Sequence, residues 1–394
     1  MFSSSPSRYS SDPDGIVYLA GTPWDGVAAT DHHLTRALAN AVGQSLYVDP
    51  MVTIPNLLRN HGAHPVPIAL GLDHVTPNVT RLGTLGPPLA TRPEVYRAAT
   101  SWHHSRIKKA IRESHLLPRA VILANPLGAF PRLARATRML YLTDDWVSGA
   151  RLLGLSTVTI QRRLRQNVGS ADIVGAVTPG LLTKLRTIDP NKPSITLPNA
   201  CEIPVLRPLP QWPSDLPYGP SVGLVGQLNE RIDVQLLESI SDAGMPLVVI
   251  GPMTAKDPSV IHDFETLFER DNVRWLGLKT SQDLPAYISR FKVGITPYRI
   301  NAFNNHSFPL KTLEYLSYGL PAVATDLPAS RFLSTGLIDI AQTGPEFVSF
   351  VRKHWGAARD TTACQARRDF ARTHSWGARA DQLIAALNAH TDFK

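Results

Sequence analysis

Six prolines (204, 208, 210, 213, 217 and 220) fall between Ile203 and Pro220. Neither a helix nor a central strand survives that density, because each proline lacks an N–H and fixes φ. The stretch therefore divides the chain. Before it, buried-type strands (Ile16–Ala20, Gln44–Val48, Ala120–Ala124, Arg138–Leu142, Ala171–Val177) alternate with helical patterns at Asp31–Ala41, Ser156–Gly169 and Thr178–Thr187. After it the alternation restarts at Ser221, with a helix at Asp233–Ala243 and a strand at Pro246–Gly251. Such alternation implies parallel sheets covered by helices on both faces. The expected organisation is a disordered lead at 1–14, an α/β domain at 15–205, a linker at 206–220, a second α/β domain at 221–374, and a serine-capped amphipathic helix at 375–394.

A length of 394 residues exceeds what one core usually serves, which agrees with two domains. The 43% apolar and 18% charged content is that of a folded chain, not a disordered one. No apolar run reaches the ~18 residues that would span a bilayer. Met1–Asp14 is rich in Ser and Pro and has no basic segment followed by an apolar core, so it does not read as a secretory signal. Cys201 and Cys364 stand alone and without metal-ligand spacing, which fits two reduced thiols in a cytoplasmic protein. Residues 1–205 hold 21 Lys/Arg against 13 Asp/Glu, and residues 206–394 hold 19 of each, so the whole +8 excess lies in the first half. No aromatic–basic interleaving accompanies it, which argues against nucleic acid as a partner.

The most informative segment is Ser307–Thr325, SFPLKTLEYLSYGLPAVAT. Pro309 at the first helical position leads into a helix carrying Lys311 and Glu314 three residues apart, hence on one face. Gly319 closes the helix, and an apolar strand follows. A helix N-terminus beside a lysine offers N–H groups and positive charge to a phosphate. A carboxylate one turn on accepts hydrogen bonds from sugar hydroxyls.

This segment resembles the donor-binding segment of GT-B-fold, group 1-like glycosyltransferases. The resemblance also takes in Gly223–Gly226, Asn229–Asp233, Asn272–Gly277, Asp283–Tyr287 and Val293–Arg299. It implies two Rossmann-like doubly wound domains facing a cleft, with the terminal helix crossing back onto the first. In open α/β sheets ligands bind beyond the carboxyl ends of the strands. The implied donor-binding residues are Gly226, Gln227, Asn229, Arg231, Tyr298, Arg299, His306, Ser307, Leu310, Lys311 and Glu314. Many retaining members of the fold carry a second glutamate eight residues before the one that matches Glu314. His306 stands there, which points away from retention.

On the acceptor side, Leu140–Trp146 resembles the strand-then-Asp-Asp motif of xanthan-type glucuronosyltransferases and teichuronic-acid glycosyltransferases. Asp145 aligns with their catalytic base, and Asp144 is its like-charged neighbour. A competing base is His32 or His33, oriented by an aspartate such as Asp31, after the loop between the first strand and first helix; capping that helix is the alternative role of Asp31. No metal set is expected, since Lys, Arg and helix dipoles can carry the leaving phosphate. No cofactor is expected either, the nucleotide sugar being a substrate.

Ile107, Ala110, Ile111 and Ser114 form one face of a helix whose other faces carry Arg106, Lys109 and Arg112. Arg135, Arg138, Arg162, Arg163 and Arg165 extend the charge. The pattern fits peripheral contact with an anionic membrane, and equally a core-packed helix with a basic exterior. The expectation is a metal-independent, inverting glycosyltransferase of bacterial surface polysaccharide synthesis. It would use a UDP-sugar and a glycan or lipid-linked acceptor, in the cytoplasm or on the inner membrane face. The competing expectations are a nucleotide-sugar epimerase and a non-catalytic binder of sugar nucleotides or polyanions.

Overall fold

The structure, a computed structural model, describes residues 14–26, 28–53, 69–88, 93–125, 127–150, 155–205 and 211–391. The expected N-terminal lead up to residue 13 and the first part of the expected linker, 206–210, lie outside the described residues. The chain divides into two compact units, Met1–Leu197 with Arg379–Lys394, and Pro198–Ala378.

The first unit runs β1 (Asp14–Leu19), α1 (Thr30–Val42), β2 (Gln44–Val48), β3 (Val52–Thr53), β4 (Gly71–Thr76), β5 (Val79–Gly83), β6 (Leu85–Gly86), α2 (Pro93–Glu113), β7 (Leu117–Leu123), β8 (Thr137–Leu142), α3 (Thr157–Ser170), β9 (Ile173–Ala176), α4 (Pro179–Arg186) and β10 (Ser194–Thr196). Its eight-stranded sheet has the order β10-β9-β8-β7-β1-β2-β5-β4. The strands pair in parallel except at one edge, where β4 and β5 form an antiparallel hairpin. The expected parallel sheet thus carries one antiparallel edge. Only Pro77 and Asn78 join the two strands, far too few residues for a crossover.

Ser156 and Thr178 cap α3 and α4 by accepting the Thr159 and Leu181 N–H groups. The apolar stripe of α2 turns inward, with Ile107, Ala110 and Ile111 all buried. That corrects the use of this stripe for membrane contact: the unit's own core consumes it. Lys108, Lys109 and Arg112 remain exposed.

The second unit runs β11 (Val222–Val225), α5 (Val234–Asp242), β12 (Leu247–Ile250), α6 (Pro258–Phe268), β13 (Val273–Trp275), α7 (Leu284–Ile288), β14 (Val293–Thr296), α8 (Leu310–Ser317), β15 (Ala322–Thr325), α9 (Pro328–Phe332), β16 (Ile338–Ala341), α10 (Gly344–Gly356) and α11 (Thr361–Thr373). Its sheet is parallel throughout, in the order β13-β12-β11-β14-β15-β16. The strand order therefore reverses between β11 and β14, the topological switch point where open sheets bind ligands.

Residues 211–220 are not a free tether. Trp212 stacks on Tyr218 and lies under the Arg290 guanidinium. Asp215 accepts hydrogen bonds from Lys279 and Tyr287 at 2.6 and 2.7 Å. Prolines bar regular structure here, but aromatic and ionic anchors hold the segment to the second unit.

The last helix, α12 (Trp376–Thr391), begins after Ser375, whose hydroxyl accepts the Ala378 N–H. From Arg379 onward it packs with the first unit, where Asn388 accepts from Arg119 at 3.2 Å. Among the described residues no helix is long and apolar enough to cross a membrane.

Candidate functional site

In the second unit the loops leaving β11 and β14 meet at the switch point. Gly226 ends β11, and Gly251 ends the neighbouring β12 with φ of +144°. A Cβ on Gly251 would stand 1.7 Å from the Gly226 carbonyl oxygen, so these two loops approach only because residue 251 has no side chain. The β11 loop then crosses to the β14 loop. Arg231 donates through Nε to Asn304 Oδ1 at 2.9 Å, while Asn304 Nδ2 donates to the carbonyls of Arg231 and Arg299 at 3.2 and 2.8 Å. The Arg231 guanidinium lies over the Tyr298 and Phe303 rings, about 5 Å from each centroid. Asn229 Oδ1 accepts the Arg231 N–H, which tightens the turn.

Helix α8 follows this loop. Pro309 is its N-cap rather than its first helical residue, and its ring offers no side-chain acceptor to the N–H groups of the first turn. Those N–H groups keep their capacity for an external acceptor. Lys311 Nζ lies 2.6 Å from Glu314 Oε2, and each side chain is about one-fifth exposed. The predicted cation and carboxylate thus share one face and hold each other. Ser307 is buried and donates to the Phe303 carbonyl, and His306 Nδ1 lies 2.9 Å from the Ala302 carbonyl. Both therefore shape the turn before α8. Leu310 opens the helix, and Gln227 lies in the β11 loop.

Sequence reasoning missed the supports of this helix. Tyr315, fully buried, packs over Gly294, where a Cβ would meet its ring at 2.2 Å, and its hydroxyl accepts the Val225 N–H. Asn199 donates to the Phe308 carbonyl just before α8. Gly319 (φ +77°) ends α8 in a Schellman turn: the Gly319 and Leu320 N–H groups bond to the Leu316 and Tyr315 carbonyls. Arg367 and Arg368, on α11, donate to the Gly319 and Tyr318 carbonyls. Of these features, the sequence signalled the closing turn at Gly319. Nothing local signals the arginines, which lie about fifty residues away.

In the first unit the expected acid–base residues lie along the carboxyl edge of the sheet. Asp31 is buried and takes hydrogen bonds from the Tyr18 hydroxyl (2.8 Å), the Gly21 N–H (2.8 Å) and Thr22. Burial pushes its carboxyl up, and those bonds offset that only in part. His32 Nδ1 accepts the Ala29 N–H, and Nε2 lies 3.1 Å from the Pro23 and Trp24 carbonyls, so its proton sits on Nε2. Burial lowers its proton affinity. Both residues hold the β1–α1 loop in shape.

Asp145, also buried, accepts from Ser148 and from Lys184 Nζ at 2.5 Å. Burial pushes its carboxyl up, but the Lys184 and Ser148 bonds outweigh that and hold it below the usual range. Asp144, its neighbour, is half-buried.

One carboxylate escaped the sequence reading. Asp49, at the carboxyl end of β2, is 7% exposed and accepts the Trp24 N–H at 2.8 Å. Burial raises it to about 6, only partly countered by that bond and by Arg81. Arg81 itself pairs with Asp25 at 2.5 Å. No three His, Cys, Asp or Glu side chains converge as metal ligands among the described residues.

The family described as Glycosyl transferases group 1 matches residues 219–347, the stretch that holds both switch-point loops and α8. Residues 219–347 are thus similar to a group 1 glycosyl transferase domain. The chain is also 27% identical over 169 residues to TuaH of Bacillus subtilis (strain 168), provisionally named a teichuronic acid biosynthesis glycosyltransferase. That match covers 41% of this chain and 42% of TuaH, so the chain spans less than half the length of this relative. Sucrose-phosphate synthase of Thermosynechococcus elongatus superposes with a TM-score of 0.71 at 15% identity, over 97% of this chain and 100% of that one. A trehalose-6-phosphate synthase, studied for glycosyl transfer with retention, gives 0.61 at 13%, over 95% and 99%. These likenesses establish the fold class, α/β of the GT-B type.

Proposed function

We propose that the protein is a glycosyltransferase that moves a sugar from a nucleotide-sugar donor, with UDP-sugar favoured, to a glycan or lipid-linked acceptor. The observation that carries the reading is the Arg231–Asn304–Arg299 network. It ties both switch-point loops together beside the proline-capped α8 N-terminus and the Lys311–Glu314 pair. Donor phosphates would take the helix N–H groups and Lys311, while ribose or sugar hydroxyls would bond to Glu314. Arg231, already oriented by Asn304, would stabilise the departing diphosphate. On this reading no resident metal or cofactor takes part.

An acceptor hydroxyl also needs a base. Among the carboxylates on the first unit's edge we place Asp49 ahead of Asp145. Asp49 combines an elevated proton affinity with one backbone hydrogen bond, whereas Asp145 is held ionised against Lys184. Asp144 is the further candidate, and Asp31 and His32 are assigned to the loop scaffold.

Inversion is the proposed stereochemistry, because His306 stands where retaining relatives carry a glutamate. The proposed setting is bacterial surface polysaccharide assembly in the cytoplasm. Lys108, Lys109 and Arg112 would bring the protein to an anionic membrane, and vesicle binding that fades with salt tests this.

The deciding experiment incubates the protein with a panel of nucleotide sugars, with and without acceptor glycans, and follows nucleotide release and product anomeric configuration by NMR. Acceptor-dependent release that is lost in Lys311→Ala supports the reading. Product formed from the donor alone identifies an epimerase instead. Thermal stabilisation by a nucleotide sugar with no turnover identifies a binding protein.

A further inference from the structure

The first unit contains a cavity of about 310 Å³ between β8, α3 and α4. Its wall is largely apolar: Leu142, Trp146, Ile160, Leu164, Leu181 and Ile188. The polar groups on the wall are unevenly matched. Lys184 and Arg165 carry donor groups, as does the Trp146 indole N–H, which is buried without a hydrogen-bond partner among the described residues, while Gln161 offers both a donor and an acceptor. The carboxylate on the wall is Asp145, and it is already engaged by Lys184 and Ser148. An apolar chamber with surplus donors at its rim suits a ligand with an apolar body and an anionic head.

We infer that this cavity binds the aliphatic end of an amphiphile whose head is a phosphate or carboxylate. This inference rests on the proposed acceptor, and it narrows the acceptor to a lipid-linked anion rather than a free glycan. The volume decides how much chain enters: at ~30 Å³ for each small group, about ten methylenes fit. The exposed Arg165 and the half-exposed Lys184 would meet the head, while Asp145 keeps Lys184 oriented from beneath. A longer lipid would place only its head-proximal carbons here.

Isothermal titration with decyl phosphate below its aggregation concentration tests this, with decanol and inorganic phosphate as controls. The expected result is saturable binding of one decyl phosphate per chain, weaker binding of decanol, and none of phosphate. Leu164→Trp, which fills the chamber from α3, should weaken decyl phosphate binding at least tenfold; Ile188→Trp does the same from the other side should the first variant fold poorly. Arg165→Gln should weaken decyl phosphate about two- to fivefold, the range of an exposed ion pair, and leave decanol unchanged.

Absence of decyl phosphate binding, or equal binding to both tryptophan variants, overturns the site. Equal affinity for decanol overturns the anionic head. Thermal stabilisation by nucleotide sugars should persist in every cavity variant, so loss of the donor reading and loss of this site are told apart.

Discussion

Replacing Asp49 by Asn separates the electrostatic cost of this carboxylate from its hydrogen bond. Asn retains an oxygen for the Trp24 N–H, so the change removes charge and little else. The folded carboxyl titrates at about 6 against an ordinary 3.8. Below 3.8 both folded and unfolded chains are protonated there, and the residue costs nothing. Between the two values the unfolded chain releases its proton first, so stability falls as pH rises. Above 6 the full cost applies, roughly 3 kcal/mol at ~1.4 kcal/mol per pK unit.

Between pH 4.5 and 7.5 the wild type should therefore lose about 2 kcal/mol that Asp49→Asn does not. Other titrating groups are common to both proteins and cancel in the difference. With a urea dependence of ~2 kcal/mol per M, the variant's midpoint relative to wild type should move up by about 1 M over that range. The assay is urea unfolding of the first unit followed by tryptophan fluorescence at both pH values. A midpoint difference independent of pH would refute the elevated proton affinity, and with it the case for Asp49 as a base. If Asp49 is the base, the same variant also loses transfer while nucleotide-sugar binding is unchanged.

Lys311→Ala should weaken nucleotide-sugar affinity about 10- to 100-fold, the range of a charge-assisted hydrogen bond of ~1.5–3 kcal/mol; calorimetry with UDP-sugars checks it. Gly251→Ala places a Cβ on the Gly226 carbonyl, so soluble yield and thermal midpoint should both fall, whereas Gly169→Ala, with open space around it, should be tolerated. Lys184→Met takes a charge from the buried Asp145 and should cost about 1–3 kcal/mol, discounted because Lys184 is 42% exposed; adding Asp145→Asn should recover most of the loss in chemical denaturation. Arg367→Ala with Arg368→Ala should raise KM for the donor more than it changes overall stability, because these side chains hold the C-terminal carbonyls of α8; equal loss in both would assign them a purely structural role.

Much of the donor side was legible because its determinants are local. Lys311 and Glu314 share a face through helical period alone, and Gly319 announced the turn that ends α8. The acceptor side was less legible. The sequence offered Asp145 and His32 as bases and Asp31 as an orienter or helix cap, and in the fold each is engaged by partners. Some are near in sequence, such as Ser148. Others, such as Lys184 for Asp145 and Tyr18 for Asp31, are brought in by the sheet. The basic helix α2 was ambiguous by its pattern, and only the packing of Ile107 and Ala110 decided that its apolar stripe faces the core.

Strand–helix alternation, the proline-dense break and the α8 motif were set by neighbours a few residues apart, and such short-range preferences can be read directly from a chain. The strand order that puts β11 beside β14, the elevated Asp49 and the arginine supports of α8 were decided only by tertiary structure. Each depends on groups brought together across tens of residues, and the burial that sets a carboxyl's charge exists only once the core has closed around it.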